Sequence, residues 1–324
     1  MALAVVAAVL PRLEADVARR FAGLAVSAIK SEHSAATMIP LPDGITHAAI
    51  EGPTLVTISF GTSDPEARSF ALFDLCWQAE WSSRQDMWFV LPALPPTHAP
   101  FGVDEMRRRG LTLLSQPIPC HTWVCSDAAL SAASALLDSS TVGFVDPGAI
   151  PDSLMADVLV PDDAPVIAHH WKYSRGDETV HQLRCLIESG LPTACVRRRG
   201  HDAASQATPA DGGPRGLCAW ALTLEDLSIG RLHTLDEFRG RGLAAAVVRS
   251  LVAQQLRLKR GLVAAAKATG DAAALTVLAH VRPYCHIVVG NDASEAVMGG
   301  RAGFERAGRA DWYLFSARAS GVEE

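Results

Sequence analysis

The residues best able to do chemistry lie in the stretch Arg231–Val248, RLHTLDEFRGRGLAAAVV. A strand-like segment runs into a short polar turn, and Arg239-Gly240-Arg241-Gly242 then opens an Ala/Val-rich helical pattern beginning at Leu243-Ala244. The first backbone N–H groups of a helix have no partner inside it, and together with the macrodipole they attract phosphate oxygens. Glycines at 240 and 242 let the backbone approach such oxygens without a Cβ in the way. Arginines at 239 and 241 would add charge-assisted bonds. The physics favours a phosphate cradle. The plainer alternatives are a Gly-rich strand-to-helix connection with solvated arginines, and a fragment of a nucleic-acid tail. The second fits poorly with a net charge of −6 over 324 residues, because dedicated nucleic-acid binders are normally basic.

Two familiar cradles are excluded by pattern. The sequence has no GxxxxGK[ST]. It also lacks a GxGxxG in a strand–helix–strand unit with an acid about twenty residues on.

The elements that must hold the turn are legible around it. Leu217–Thr223 and Leu227–Leu235 read as strands joined by an acidic turn at Glu225 and Asp226. Beyond the turn, Leu243, Val247, Leu251 and Val252 mark one apolar face of a helix. Upstream, Asp163–Trp171 and Thr179–Ser189 read as helices, the second stopped by Gly190 and Pro192. Thr193–Arg197 reads as a strand, and Arg198–Gly216 as a polar, Gly-rich loop. Downstream come a strand at Tyr284–Val289, a turn at Asn291-Asp292, a helix at Ala293–Arg301 weakened by Gly299-Gly300, and a closing strand at Trp312–Phe315. This order predicts an α+β layered sheet.

Prolines within Ser139–Asp163 break any long periodicity, so the chain divides into residues 1–150 and 151–324. In the first part Thr54–Phe60 reads as a strand, Asp104–Arg109 and Ala128–Leu137 as helices, and Trp77, Trp81, Trp88 and Phe89 as core. The seven cysteines form no CxxC pair. Cys120 and Cys125 flank His121 without a second ligand pair, so no metal site is expected and reduced, mostly buried thiols are. The N-terminal apolar run of about ten residues is too short to span a bilayer. It lacks a basic leader, and Glu14 and Asp16 speak against a mitochondrial presequence. An amphipathic first helix, no membrane segment and a cytoplasmic protein are expected, with a mitochondrial one as the alternative.

Arg239-Gly240-Arg241-Gly242-Leu243-Ala244 resembles the Q/R-x-x-G-x-G/A loop of the GCN5-related N-acetyltransferase (GNAT) superfamily. Asn291-Asp292-Ala293-Ser294 with Ala302-Gly303-Phe304 resembles that superfamily's second motif, N-x-x-A/S followed by L-G-F. Ala219-Trp220, Thr234-Leu235-Asp236-Glu237-Phe238-Arg239, Pro283–Ile287, His169–Tyr173 and Glu188–Cys195 look like the glycine N-acyltransferase branch. The resemblance covers roughly Asp163–Tyr313. It implies a mixed, largely antiparallel sheet flanked by helices, with a divergent N-terminal half of related fold. It also implies transfer of an acyl group from acetyl-CoA or another acyl-CoA to a small amine, commonly glycine or another amino acid. The co-substrate is then held by Leu232, His233, Thr234, Leu235, Arg239, Gly240, Arg241, Gly242, Leu243, Ala244, Asn291 and Ser294. Nucleic acid and membrane are not expected partners, and the oligomeric state is not legible.

The sequence departs from this pattern in four places. Ser228 stands where the branch's suggested catalytic acid belongs, and Met298 near the superfamily's tyrosine. Gly299-Gly300 adds one residue to the usual spacing, and Gly261–Val281 lengthens the connection before the Tyr284 strand. The amine must be held near the carbonyl and be neutral when it attacks. Strict alternation puts Ile229, Arg231, His233 and Leu235 on one strand face, and Ser228, Gly230, Leu232 and Thr234 on the other. His233, just before the cradle, and His286, on the partner strand, are the candidate bases, with Glu225 and Asp226 behind them. Each imidazole could equally be a hydrogen-bonded structural residue. Cys285 as an acyl carrier is the weaker idea, since direct transfer needs no covalent intermediate. A protein or polyamine acceptor, or a non-catalytic acyl-CoA binder, are the alternatives.

Overall fold

A computed structural model describes residues 103–104, 107, 112–113, 116–138, 150–174, 176–200, 216–224 and 226–316, with strands 36–40, 46–50, 54–58 and 88–94 and the end of the last strand described by backbone alone. Two sheets form among these residues. The first contains β1 (Ala36–Pro40), β2 (Thr46–Ile50), β3 (Thr54–Ile58), β4 (Trp88–Leu94), β5 (Thr112–Leu113), β6 (Ile118–Cys125), β11 (Tyr284–Val288) and β12 (Phe304–Ser316). Its order is β1-β2-β3-β4-β12-β6-β11, with β5 paired to β12. The second contains β7 (Leu154–Asp157), β8 (Thr193–Arg198), β9 (Leu217–Thr223) and β10 (Ile229–Thr234), in the order β10-β9-β8-β7 and antiparallel throughout.

Strand pairing crosses residue 150. The long C-terminal strand β12 lies between β4 and β6, and β6 also pairs with β11. A parallel bridge, Ser228 with Tyr284, joins the mouth of β10 to the start of β11. Beyond that bridge the two strands belong to different sheets and diverge.

Helices pack on both sides. They are α1 (Asp127–Asp138), α2 (Ala164–His170), α3 (Asp177–Glu188), α4 (Leu243–Thr269), α5 (Ala272–His280) and the short α6 (Asp292–Glu295). β9 (LCAWALT) is buried at every position, as expected of a central strand covered on both faces. Leu243, Val247, Leu251 and Val252 bury the predicted stripe of α4 in the main core.

The structure departs from the sequence reading in several places, three of which shape the site. The Gly261–Val281 insertion is helical: α4 runs 27 residues through Gly261 and ends at Gly270 in a left-handed cap, then Asp271 caps α5 by accepting from the Ala274 N–H at 2.9 Å. The predicted 293–301 helix is split, α6 giving way to a π-helical turn at Ala296–Arg301. A π-turn accommodates one inserted residue, which accounts for the extra position at Gly299-Gly300. The third departure is on β10. Gly230 opposes Leu222 and His233 opposes Trp220, so Arg231 and Leu232 together face Ala221 in a bulge. This inverts the alternation. His233 shares a face with Gly230 and Trp220, while Ile229 lies on the other.

The predicted strand at Thr54–Phe60 corresponds to β3 and the helix at Ala128–Leu137 to α1. Trp77, Trp81, the first helix and most of Asp104–Arg109 lie outside the described residues. No described helix is long and apolar enough to cross a membrane.

Candidate active site

A cleft of about 430 Å³ opens between β10, the start of α4 and the α6–π segment. Leu232, His233, Thr234, Arg239, Gly240, Gly242, Leu243, Ala244, Asn291 and Ser294, all predicted from sequence, line it. Leu235 and Arg241 do not. Leu235 is buried and its N–H donates to the Cys218 carbonyl at 2.9 Å.

The floor of the cleft is the uncapped end of a long helix. Gly242 is the N-cap of α4, no side chain caps it, and the first turn carries no acid. The Ala246 N–H donates to the Gly242 carbonyl at 3.1 Å, so the N–H groups of Leu243, Ala244 and Ala245 precede the first intrahelical bond. Gly240 and Gly242 have φ of 76° and 79°, and a Cβ on either would meet nothing within 4 Å. Glycine is required here by the left-handed backbone more than by crowding.

The arginines brace the turn. Arg239 Nε donates to the Thr234 carbonyl at 3.3 Å and pairs with Asp236 at 2.8 Å. Arg241 Nη2 donates to the Glu237 carbonyl at 3.0 Å and lies over the Phe238 ring, whose other cationic neighbour, Arg198, is paired with the Glu237 carboxylate.

The bulge brings His233 to the cleft. Its ring is 4.9 Å from Trp220 and 4.9 Å from His170 at the end of α2, centroid to centroid. Burial, then the neighbouring His170 and Arg239, push its pKa down to about 4, against a smaller opposing pull from Asp236. The imidazole is therefore neutral at physiological pH and its ring nitrogens can exchange a proton in hydrogen bonds. At Arg231, a left-handed residue with φ 54°, the guanidinium stacks 3.4 Å over the centre of the Trp171 ring.

His286 takes another position. It is not part of the cleft lining; its Nδ1 is 3.3 Å from Thr122 Oγ1, and its ring packs against Tyr284 and Trp312. Asn291 lines the cleft but uses its side chain to accept from the Ser294 N–H at 3.2 Å, capping α6. Asp226 accepts from both the Ser228 N–H and hydroxyl, at 3.0 and 2.5 Å, and its carbonyl accepts from Tyr284 Oη. That set locks the hairpin at the parallel bridge and stands apart from the lining. Met298 is buried, and Cys285 is buried with a thiol pushed well up by desolvation, which makes it a poor nucleophile.

Sequence reasoning missed Phe238, Ala245, Ala293, Val297 and Arg301 of the lining, and His170 behind His233. Ala293, Val297 and Arg301 recur at the i, i+4 spacing of one helical face, a signal present in the sequence. His170 had no such signal, because its approach to His233 is purely tertiary. Among the described residues no cluster of three or more His, Cys, Asp or Glu side chains is placed to hold a metal.

Residues 210–282 match the family described as FR47-like protein. No curated protein matches the chain. Among solved structures, a Drosophila protein shares 14% identity with a TM-score of 0.55, covering 85% of this chain and 75% of its own. A GCN5-related N-acetyltransferase from Sphaerobacter thermophilus shares 13% identity with a TM-score of 0.44, covering 90% and 83%. A putative acetyltransferase of the GNAT family from Novosphingobium aromaticivorans shares 14% identity with a TM-score of 0.39, covering 84% and 89%. Residues 210–282 thus resemble the FR47-like family, and they lie in a mixed α+β chain whose fold is similar to that of the Drosophila protein.

Proposed function

We propose that the chain is an acyl-CoA-dependent N-acyltransferase, acting from the cleft between β10 and the start of α4. One observation supports this above the others: the uncapped N-terminus of a 27-residue helix and a bulged strand bearing a neutral imidazole line the same cleft. A pyrophosphate fits the first, and a thioester undergoing attack fits the second.

In this reading the N–H groups of Leu243, Ala244 and Ala245 receive the pyrophosphate, with Arg239 and Arg301 supplying positive charge at the rim. The pantetheine arm lies along Leu232–Thr234, where the buried Thr234 Oγ1 has no protein partner and is available to it. Ser294 faces the thiol end. The amine nitrogen bonds to the carbonyl carbon, the carbon–sulfur bond breaks, and CoA departs as a thiolate, an acceptable leaving group near neutral pH. A nitrogen that has just bonded to the carbonyl carbon is far more acidic than the free ammonium. A weak base such as His233 therefore suffices to take its proton, directly or through water.

The acceptor in this proposal is a small primary amine, glycine or another small amino acid, as the sequence resemblance implies. A second reading is a non-catalytic acyl-CoA binder. It is favoured by Ser228, whose hydroxyl is committed to Asp226, and by the apolar Met298, where acid–base groups were expected. Calorimetry with CoA, followed by thiol release from acetyl-CoA with and without amine, separates the readings. Amine-dependent release supports the enzyme, binding without release the binder, and absence of CoA binding overturns both.

A further inference from the structure

The α6–π wall of the cleft rests on a strand that the mechanism above leaves unused. Ala293, Ser294, Val297 and Arg301 line the cleft from this wall. His121 and Trp123, alternate residues of β6, share one face of that strand, and both touch the wall. His121 Nδ1 lies 3.3 Å from Oε1 of Glu295, the last residue of α6. Trp123 meets the π-helical turn: a Cβ on Gly299 would fall 2.7 Å from Cζ3 of its indole and 3.2 Å from Cη2.

The adjacent glycines of this turn differ in what surrounds them. Neither has a positive φ, so the backbone requires glycine at neither position. A Cβ on Gly300 would meet nothing within 4 Å, whereas one on Gly299 would strike the ring. Glycine at 299 is therefore a condition of the contact with Trp123. Restoring an ordinary carbon–carbon contact of about 3.5 Å would need a displacement of roughly 0.8 Å. The indole has little room to yield, because it packs against the main core and its cross-strand partner on β11 is the buried Cys285. The turn must move instead. Val297 and Arg301 stand to either side of Gly299, and the Ala302 N–H closes the turn by donating to the Val297 carbonyl at 2.8 Å. A shift at 299 thus carries two lining residues with it.

We propose that Trp123 is a positioning residue for the co-substrate: its contact with Gly299 sets where the α6–π wall stands in the cleft, and through it the affinity for CoA. The His121–Glu295 pair holds the other end of the same wall. The proposal rests on the acyl-CoA reading above and gives β6, a strand from the first part of the chain, a part in binding at that site.

The test is calorimetry of CoA on the full chain, which reads affinity and stoichiometry separately. Gly299→Ala should raise Kd about tenfold with the stoichiometry unchanged. A residue that only supports folding would lower the fraction of chains that bind and leave Kd alone. Gly300→Ala, the same substitution one position on, should bind as wild type does. Trp123→Phe, which shortens the ring facing residue 299, should restore most of the affinity when combined with Gly299→Ala, the non-additivity expected of two residues in contact. Unchanged Kd in Gly299→Ala, an equal loss in Gly300→Ala, or no recovery in the double variant overturns the proposal. If Gly299→Ala does not fold, His121→Leu decides: a Kd raised about threefold or more at full stoichiometry supports the proposal, and a smaller change overturns it. If the wild-type chain binds no CoA, the acyl-CoA reading itself falls.

Discussion

The imidazoles of His170 and His233 lie 4.9 Å apart, with their planes inclined by 30°, and Trp220 touches both. A proton on His233 is unfavourable, because burial withholds water from the ring and the neighbouring His170 and Arg239 repel the charge. His233 accordingly titrates near 4 in the folded chain against an ordinary value of 6.5.

That depression has a signed consequence for stability. Between pH 4 and 6.5 the unfolded chain binds a proton at this position and the native chain does not. Stability therefore rises with pH across that window, and falls as acid is added down to the folded pKa. Because the ring is partly exposed, the contribution is about 1 kcal/mol after solvent screening. Urea melts at pH 4.5 and 7 should show His233→Gln losing less stability on acidification than wild type. Equal acid sensitivity would place the titrating group elsewhere.

A second prediction concerns the buried ion cluster that anchors α2. Arg197, 3% exposed, donates Nε to Asp157 at 2.7 Å, Nη1 to Asp163 at 2.9 Å and Nη2 to the Val158 carbonyl at 3.0 Å. Asp163, 2% exposed, also accepts from the Val160 N–H at 2.8 Å. Arg197→Ala would leave that carboxylate buried without its cation, at a cost of about 3–5 kcal/mol. Denaturant titration should show it. A loss under 1 kcal/mol would mean that water reaches Asp163.

Cutting the chain at residue 152 gives a third. The cut removes β6, whose antiparallel ladder holds both β11 and β12. The fragment 152–324 should therefore fail to unfold cooperatively, and its amides in 284–288 should exchange rapidly. A cooperative melt at wild-type temperature would show that the second sheet and α4 suffice alone.

Legibility in the sequence tracked how local each cause was. Leu217–Thr223 was read to the residue, because a continuous apolar run between turns defines a covered strand. The helix after the turn was read from its stripe, but its length was not, since Gly261 looks like punctuation and is tolerated inside a packed helix. The Arg239–Ala244 part of the lining followed from glycines whose positive φ the turn demands, while Leu232–Thr234, Asn291 and Ser294 came only from the family resemblance. The face of His233 was misread because one extra residue at a bulge inverts every side chain beyond it. Gly230 was the available hint: a Cβ there would come within 2.6 Å of Leu224, marking a close approach inside a strand pattern. The pairing of β12 with β4 joins residues over two hundred positions apart, and no local pattern encodes it.

For the proposed pyrophosphate site, Gly242 is a poor place to intervene. Its φ of 79° means that any side chain strains the turn whether or not phosphate binds. Ala244, a helical residue on the lining, is a better probe. Ala244→Glu should preserve the fold while placing a carboxylate against the expected phosphates, weakening CoA at least about tenfold in calorimetry. Ala244→Gln, of similar size without the charge, should cost much less. Equal losses would point to steric exclusion, and unchanged affinity in both would move the pyrophosphate elsewhere.

The pH dependence of turnover tests His233 as proton acceptor. Its folded pKa near 4 means that it is competent across the neutral range, so no inflection should appear near 6.5. The rise of kcat/KM with pH should instead follow the acceptor amine, with unit slope up to the amine's own pKa of about 8 to 10. His233→Ala should lower kcat about a hundredfold at pH 7, the usual loss for a general base. It should affect CoA affinity much less than turnover, because the phosphate-facing N–H groups belong to α4. If transfer of the proton limits the step, the deficit should shrink as pH rises and hydroxide or buffer base takes over. An inflection near 6.5 that survives in His233→Ala and vanishes in His286→Ala would assign the role to the imidazole beside Thr122. Full turnover in both variants would leave water as the acceptor. In that case the three-ring cluster serves to shape and dry the wall against which the amine attacks.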